Sequence, residues 1–434
     1  MNMKEVQELY SNRVLSVVAI VVACIVCYAS ISGHEFITAW DDGWQVINKY
    51  TESFSWYNLK LILTDYYFGQ YSPVNQFFYT LIYYFFGYNS TVFHLFCLLL
   101  HILNSLLVYF IVRRLLQMNI YRGLTVNKID YISFAVALLF AIHPLQVEVV
   151  AWISASKILV FVFFYLCSIW FYLRYIQKER IYDYLLMLLC FLLSFGGKEQ
   201  AVTLLVCLFW IDFACRRNFR SVTLWYEKMP VFLLTLVFVY ITLESHASTN
   251  SGLMGNEVFY PFMQRCVFAC YSICEYVIKL ILPFNLLYLY PFPITIGEAL
   301  PFRFWIYPVV LLILGFCFGK LLLKRPVYLG LSWFLIHVGL MLHIIPMSRF
   351  SIVADRYVYL AAPGLFFIIV WYFFVLLEKQ PRFKKICIGV ACAWLLFFGI
   401  QTHIRTFTWH DNTSLKMKMN TLLKQREEEL HKTK

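Results

Sequence analysis

The sequence predicts an all-α, polytopic integral membrane protein with about eleven transmembrane helices. Three observations carry that prediction. The 434-residue chain is 61% hydrophobic and only 14% charged, and apolar runs of spanning length, roughly 20 residues, recur from end to end. The runs are continuous rather than alternating, so of the two structures that lipid admits, helices and closed barrels, helices are the better match. The formal net charge of +12 resides entirely in five short segments, 113–130, 174–183, 212–228, 320–325 and 378–385. Short loops rich in Lys and Arg mark the cytoplasmic side of a membrane. The basic balance therefore reports topology and argues against a nucleic-acid partner.

The charge map orders the elements. The N-terminus starts inside, and residues 13–32 leave the cytoplasm. Their end, Ala29-Ser30-Ile31-Ser32, is a poor cleavage site, which favours a retained span over a signal peptide. Residues 33–72 form a long external loop of net charge −3. Segment 92–112 returns to Arg113-Arg114. Segment 131–142 leaves, and His143-Pro144 opens a short external stretch through Ser154. Segments 157–175, 184–195, 201–213 and 231–243 then alternate. Residues 244–303 are harder. Residues 258–282 are apolar enough to cross, yet both flanking basic loops must be inside. This stretch is therefore read as a re-entrant or interfacial helix, interrupted by Pro261 and stopped by Pro283. Segments 304–323, 332–346, 359–377 and 386–400 complete the alternation. One multi-span membrane domain, residues 1–401, precedes a short, charged, external tail, residues 402–434.

The thirteen cysteines do not read as a disulfide framework. Cys24 and Cys27 lie within the first span, and Cys266, Cys270 and Cys274 share a helical face, so packing is their expected role.

Trp40-Asp41-Asp42-Gly43 is the most informative motif. Adjacent carboxylates repel, so they need water, a cation or a substrate proton nearby. A solvated loop with an incidental acidic pair is the plain alternative. In this topology Asp41, Asp42, His143, Glu148, Lys157, Lys198, Glu199, Asp355 and Arg356 all fall at external ends of spans. Singly they have ordinary explanations: snorkelling for Lys198, a helix cap for Glu148, a surface ion pair for Asp355-Arg356. Together they place carboxylates for proton abstraction beside cations for a phosphate, which suits transfer from a lipid phosphate. Aromatics form 20% of the chain. Trp56-Tyr57, Tyr66-Tyr67 and Tyr83-Tyr84 read mainly as an interfacial belt, with a few left for sugar stacking.

Several landmarks, taken in order, resemble one family. They are Trp40-Asp41-Asp42, Tyr71-Ser72-Pro73-Val74, Phe86-Gly87, His94, Leu100-His101-Ile102-Leu103-Asn104, and Phe140-Ala141-Ile142-His143-Pro144-Leu145-Gln146-Val147-Glu148. Ala151-Trp152-Ile153-Ser154, Gly197-Lys198-Glu199, Asp212, Lys279-Leu280-Ile281-Leu282-Pro283 and Tyr290-Pro291 follow. Ala354-Asp355-Arg356-Tyr357-Val358-Tyr359-Leu360, Arg405 and Trp409-His410-Asp411 complete the series. From about residue 35 to 415 the chain resembles the transmembrane, tetratricopeptide-repeat O-mannosyltransferases and their bacterial relatives, of the glycosyltransferase-C superfamily. The resemblance implies a glycosyltransferase-C-like enzyme that uses a polyprenyl-phosphate-linked sugar on the non-cytoplasmic face, with the acidic pair in its active site. There are departures. Ala155-Ser156-Lys157-Ile158 retains one charge where relatives often carry a cluster. Tyr-Ser-Pro-Val replaces Tyr-Arg-Pro-Leu. The repeats that usually follow the last span are missing.

The resulting expectation is a glycosyltransferase, hexosyl or mannosyl, with Asp41 or Asp42 as general base. The other carboxylate would hold the acceptor or a divalent cation; a metal, if one takes part, falls to Asp42, and no other cofactor is specified. Lys157, Lys198, Arg356 and Tyr357 would bind the donor lipid phosphate. His143, Glu148, Glu199, Asp355 and Lys279 would contact the acceptor or support the site. The partners are the bilayer, the lipid-linked sugar, and an acceptor protein or envelope glycan. The location is the plasma or inner membrane in a bacterium. A transporter or flippase for a lipid-linked saccharide is the alternative, but it would favour inverted repeats and polar groups near mid-span. A catalytically inactive scaffold that binds the lipid-linked sugar is a third reading. The topology is tested by reporter fusions active only outside the cytoplasm. Fusions at Gly43 and after Lys434 are expected to be active, and one at Arg217 silent; the reverse at Gly43 and Arg217 would invert the protein.

Overall fold

The structure, a computed structural model, describes residues 3–121, 123–249, 258–284, 286–345 and 351–421. Its α-helices are α1 (Met3–Tyr28), α2 (Asp42–Gln45), α3 (Trp56–Thr64), α4 (Pro73–Phe86), α5 (Ser90–Leu115), α6 (Val126–Ile142), α7 (Val147–Ala151) and α8 (Ser156–Lys178). There follow α9 (Ile181–Phe195), α10 (Leu204–Ala214), α11 (Val222–Ala247), α12 (Phe262–Ile281), α13 (Phe302–Leu322), α14 (Arg325–Val338), α15 (Ala362–Lys379) and α16 (Lys384–Thr406). Seven of these helical stretches, containing α1, α5, α8, α11, α13, α15 and α16, are long and apolar enough to cross a membrane. The chain is an integral membrane protein. The bent pair formed by α6 and residues 144–151, turned by 51°, raises the number to eight at most. The sequence-based figure of about eleven also includes α9, α10 and α14, which are shorter.

Local chemistry sets several boundaries. Ser55 Oγ accepts from Asn58 N–H at 3.1 Å, capping α3, and Thr125 caps α6 in the same way. Pro73, Pro326 and Pro363 each occupy the first turn of a helix, where a missing N–H costs nothing. Pro261 behaves likewise. It sits at the N-cap of α12 rather than interrupting it, and α12 is continuous from Phe262 to Ile281. Residues 33–72, read from the sequence as one long loop, are more ordered than that reading suggests, since they contain α2 and α3. One strand pair departs from the all-α expectation: Tyr290–Pro291 pairs antiparallel with Ser351–Val353.

α5 and α8 form the centre, and α13 lies at the opposite extreme, with none of its spanning window buried in protein. A face that meets only hydrocarbon needs no protein partner. The five basic segments meet at one end of the bundle. Arg325 donates to the Ala214 carbonyl at 2.7 Å and lies over the Tyr121 ring, Lys128 pairs with Glu378 at 2.7 Å, and Tyr175 Oη donates to Glu227 at 3.1 Å. At that end a buried ion cluster ties α8, α10 and α11 together. Asp212 accepts from Tyr172 Oη at 2.5 Å, and it pairs with Lys228 at 2.7 Å and Arg217 at 3.1 Å. Arg217 also reaches Glu227 at 2.6 Å.

Removing one partner of a buried ion pair strands the other charge. Asp212→Ala is therefore expected to cost about 3–5 kcal/mol, read as a lowered melting temperature in detergent. Glu378→Ala breaks a pair whose carboxylate is 59% exposed, and the expected loss is about 1 kcal/mol or less. Equal losses for the two would contradict the structural role given to the cluster.

Candidate active site

A cavity of about 730 Å³ opens where the other ends of these helices converge. Its volume is typical of a small-molecule site. Asp41 reaches it from the turn before α2, and Lys157 from the first turn of α8. Lys198 and Glu199 come from the turn after α9, and Arg356 and Tyr357 from the 3-10 turn before α15. Segments more than 300 residues apart thus share one wall, as the external-end pattern of the sequence suggests.

Two glycines allow the close approaches. A Cβ on Gly197 would stand 2.7 Å from the Phe161 backbone nitrogen, so only glycine lets the Lys198 turn rest against α8. A Cβ on Gly43 would lie 2.3 Å from the Thr38 carbonyl oxygen. That space closes the Asp41 turn on itself.

The acidic pair divides its work. Asp42 is 1% exposed and turned inward. Its Oδ1 accepts from Ser154 N–H at 2.9 Å and from the Ser154 hydroxyl, and its Oδ2 accepts from Ile37 N–H at 2.8 Å. Burial pushes its pKa up to about 6, against the three donated hydrogen bonds. Asp41 instead lines the cavity and accepts from Trp44 Nε1 at 3.3 Å. Because both oxygens of Asp42 face inward donors, Asp42 does not fit the part of a cation ligand. Among the described residues, no three His, Cys, Asp or Glu side chains gather in a metal-binding arrangement.

The cations are held differently from one another. Lys157 Nζ donates to Gln70 Oε1 at 2.8 Å and to Gln45 Oε1 at 3.2 Å. Neutral amides orient its charge without cancelling it. Lys198 Nζ lies 5.6 Å from the Tyr357 ring centroid. Arg356 is gripped by Glu148, which accepts from both its guanidinium and, at 2.9 Å, its backbone N–H. Burial works against the Arg356 charge, but Glu148 and, more weakly, Tyr357 and Asp41 hold its pKa above the ordinary arginine value.

Other residues singled out from the sequence stand behind the cavity. Glu148 is fully buried, where it anchors Arg356. Asp355 does not pair with its neighbour Arg356. It pairs with Arg405 and accepts from Tyr290 Oη at 3.0 Å. His143 is buried against Phe366 and Phe398; its Nε2 donates to the Leu280 carbonyl at 3.2 Å, and its Nδ1 accepts from Leu145 N–H. Lys279 pairs with Glu275 and lies over the Tyr290 ring. None of these four lines the cavity.

Sequence reasoning missed part of the wall. Thr242, Ser245 and His246 enter from the end of α11, and Trp152 stacks on Trp409 at 5.0 Å and 13°. Trp152 and Trp409 belong to noted landmarks, but spacing gives no sign that they meet.

No family model matches the chain, and no curated protein matches it. Among solved structures, it aligns with the crystal structure of ArnT from Cupriavidus metallidurans bound to undecaprenyl phosphate, at 13% identity. The alignment covers 88% of this chain and 63% of that one, with a TM-score of 0.45. A superposition at that level does not establish a shared fold.

The two aspartates should separate by stability. Asp42→Ala leaves Ser154 and Ile37 donors buried without an acceptor, at an expected cost of about 1–3 kcal/mol each. Asp41→Ala is expected to melt within about 0.5 kcal/mol of the parent. Equal destabilisation, measured in detergent, would overturn the division of roles.

Proposed function

We propose that the chain is a membrane glycosyltransferase that moves a sugar from a polyprenyl-phosphate donor to an acceptor hydroxyl. The observation that carries this reading is the placing of Asp41 and three cations from separate elements in one cavity at the ends of membrane helices. In this reading Asp41 takes the proton of the acceptor hydroxyl as its oxygen bonds to the anomeric carbon. The bond from that carbon to the lipid phosphate breaks, and the departing phosphate keeps the electron pair. Lys157, Lys198 and Arg356 offset its charge, with Tyr357 as a further donor. Asp42 acts indirectly, by holding the turn that carries Asp41. Because the leaving group is already a phosphate, positioning and charge account for most of the acceleration.

Orientation follows from the basic segments, which assign their own end to the cytoplasm. The cavity then faces the non-cytoplasmic side, where lipid-linked rather than nucleotide-linked sugars serve as donors. Eleven spans result if α9, α10 and α14 cross alongside the longer helices and the bent pair. The resemblance favours a mannosyl or other hexosyl donor and an acceptor protein or envelope glycan.

The test is consumption of a polyprenyl-phosphate hexose by membranes that contain the protein. Asp41→Asn is expected to lower transfer about 10²–10⁴-fold while leaving insertion intact. Lys198→Gln is expected to weaken donor binding more than acceptor binding, because a charge-assisted contact to phosphate is lost. Transfer at the parental rate by Asp41→Asn would refute the assignment of the base.

A further inference from the structure

The segment that leads from α1 into the acidic turn is held from the far end of the chain. Within it, Ile37 N–H is taken by Asp42, but Glu35, Thr38 and Ala39 are exposed. Their partners lie beyond α16. Glu35 N–H donates to the His410 carbonyl at 2.8 Å. Ala39 N–H donates to Asn412 Oδ1 at 2.8 Å, and Asn412 Nδ2 donates to Thr38 Oγ1 at 3.0 Å.

The clamp is braced on both sides. Asp411 accepts from Ser414 N–H at 2.7 Å in the first turn of a further helix, described over residues 412–421, and it also pairs with His410 Nδ1 at 2.8 Å. Leu415 is buried. One residue before His410, Trp409 lines the cavity and stacks on Trp152. Residues 409–415 therefore touch the cavity wall and the chain just before Asp41 at the same time.

We infer that Asn412 is a positioning residue that sets where Asp41 stands in the cavity, making the C-terminal segment a working part of the site. An asparagine amide both accepts and donates, so one side chain grips Ala39 and Thr38 together. The gripped groups are exposed, so water can replace Asn412 at little cost in stability. What is lost is the fixed approach to Asp41. Small misplacements of a reacting group cost rate rather than folding.

The kinetic arm of the test rests on the transferase reading; the structural arm does not. With a polyprenyl-phosphate hexose as donor and the full chain as enzyme, Asn412→Ala is expected to lower kcat about tenfold or more. Donor KM is expected to stay within about twofold, and the melting temperature to stay unchanged. Asn412→Asp still accepts from Ala39 N–H and can accept from the Thr38 hydroxyl, so it is expected to restore most of the rate. An unchanged kcat in Asn412→Ala overturns the inference, as does a fall in kcat that simply follows lost stability. Independently of turnover, amide exchange over residues 35–39 is expected to quicken in Asn412→Ala; unchanged exchange overturns the clamp. If the parent protein transfers no sugar, the transferase reading falls, and the exchange result alone decides whether the clamp exists.

Discussion

A carboxylate sealed from water has to find its counter-charge inside the protein. Glu148 is such a group, 0% exposed, and its demand shapes the site. It takes both the backbone N–H and the guanidinium of Arg356, which fixes the 3-10 turn before α15 against α7. The adjacent Asp355 faces away and pairs with Arg405 of α16. Arg405 in turn donates to the Pro144 carbonyl at 2.7 Å, beside the break between α6 and α7. Two neighbouring residues of opposite charge thus fasten three parts of the bundle instead of neutralising each other. Arg356 faces the cavity while its anchor, Glu148, lies buried 208 residues away in sequence.

The acidic turn repeats this logic on a smaller scale. Asp42 satisfies donors on Ile37 and Ser154, bringing the turn before α2 onto the segment that leads into α8. Asp41 is thereby left at the wall that Lys157 shares. Two adjacent carboxylates thus face opposite ways, one into packed protein and one into the cavity. At the opposite end, Asp212, Arg217, Glu227 and Lys228 fix the helices, and none of them lines the cavity that Asp41 enters.

Much of this was legible in the sequence. Charge parity grouped Asp41, Lys157, Lys198, Glu199 and Arg356 at one end, and these residues line one cavity. What stayed hidden depended on side-chain direction. Asp41 and Asp42 look alike in a motif, and only the donors on Ile37 and Ser154 tell them apart. Asp355-Arg356 looks like an ion pair, yet the 3-10 turn points the two side chains to different partners. His143 and Lys279 sit at the right depth but face packed protein. Helix length, by contrast, was legible: the apolar runs 184–195, 201–213 and 332–346 are short in the sequence, and α9, α10 and α14 are correspondingly short helices. Trp409-His410-Asp411 stood out as a motif, but its reach to the first loop did not, since Asn412 meets Ala39 across 373 positions of sequence.

The central claim is that Lys157, Lys198 and Arg356 form a phosphate site beside Asp41. The most direct measurement is an experimental structure of the purified protein with polyprenyl phosphate, the product of the proposed reaction. The account predicts the phosphate within hydrogen-bond reach of at least two of the three cations, with the carboxylate of Asp41 facing the space where a sugar would sit. A phosphate bound elsewhere on the protein, with this cavity unchanged, would contradict it.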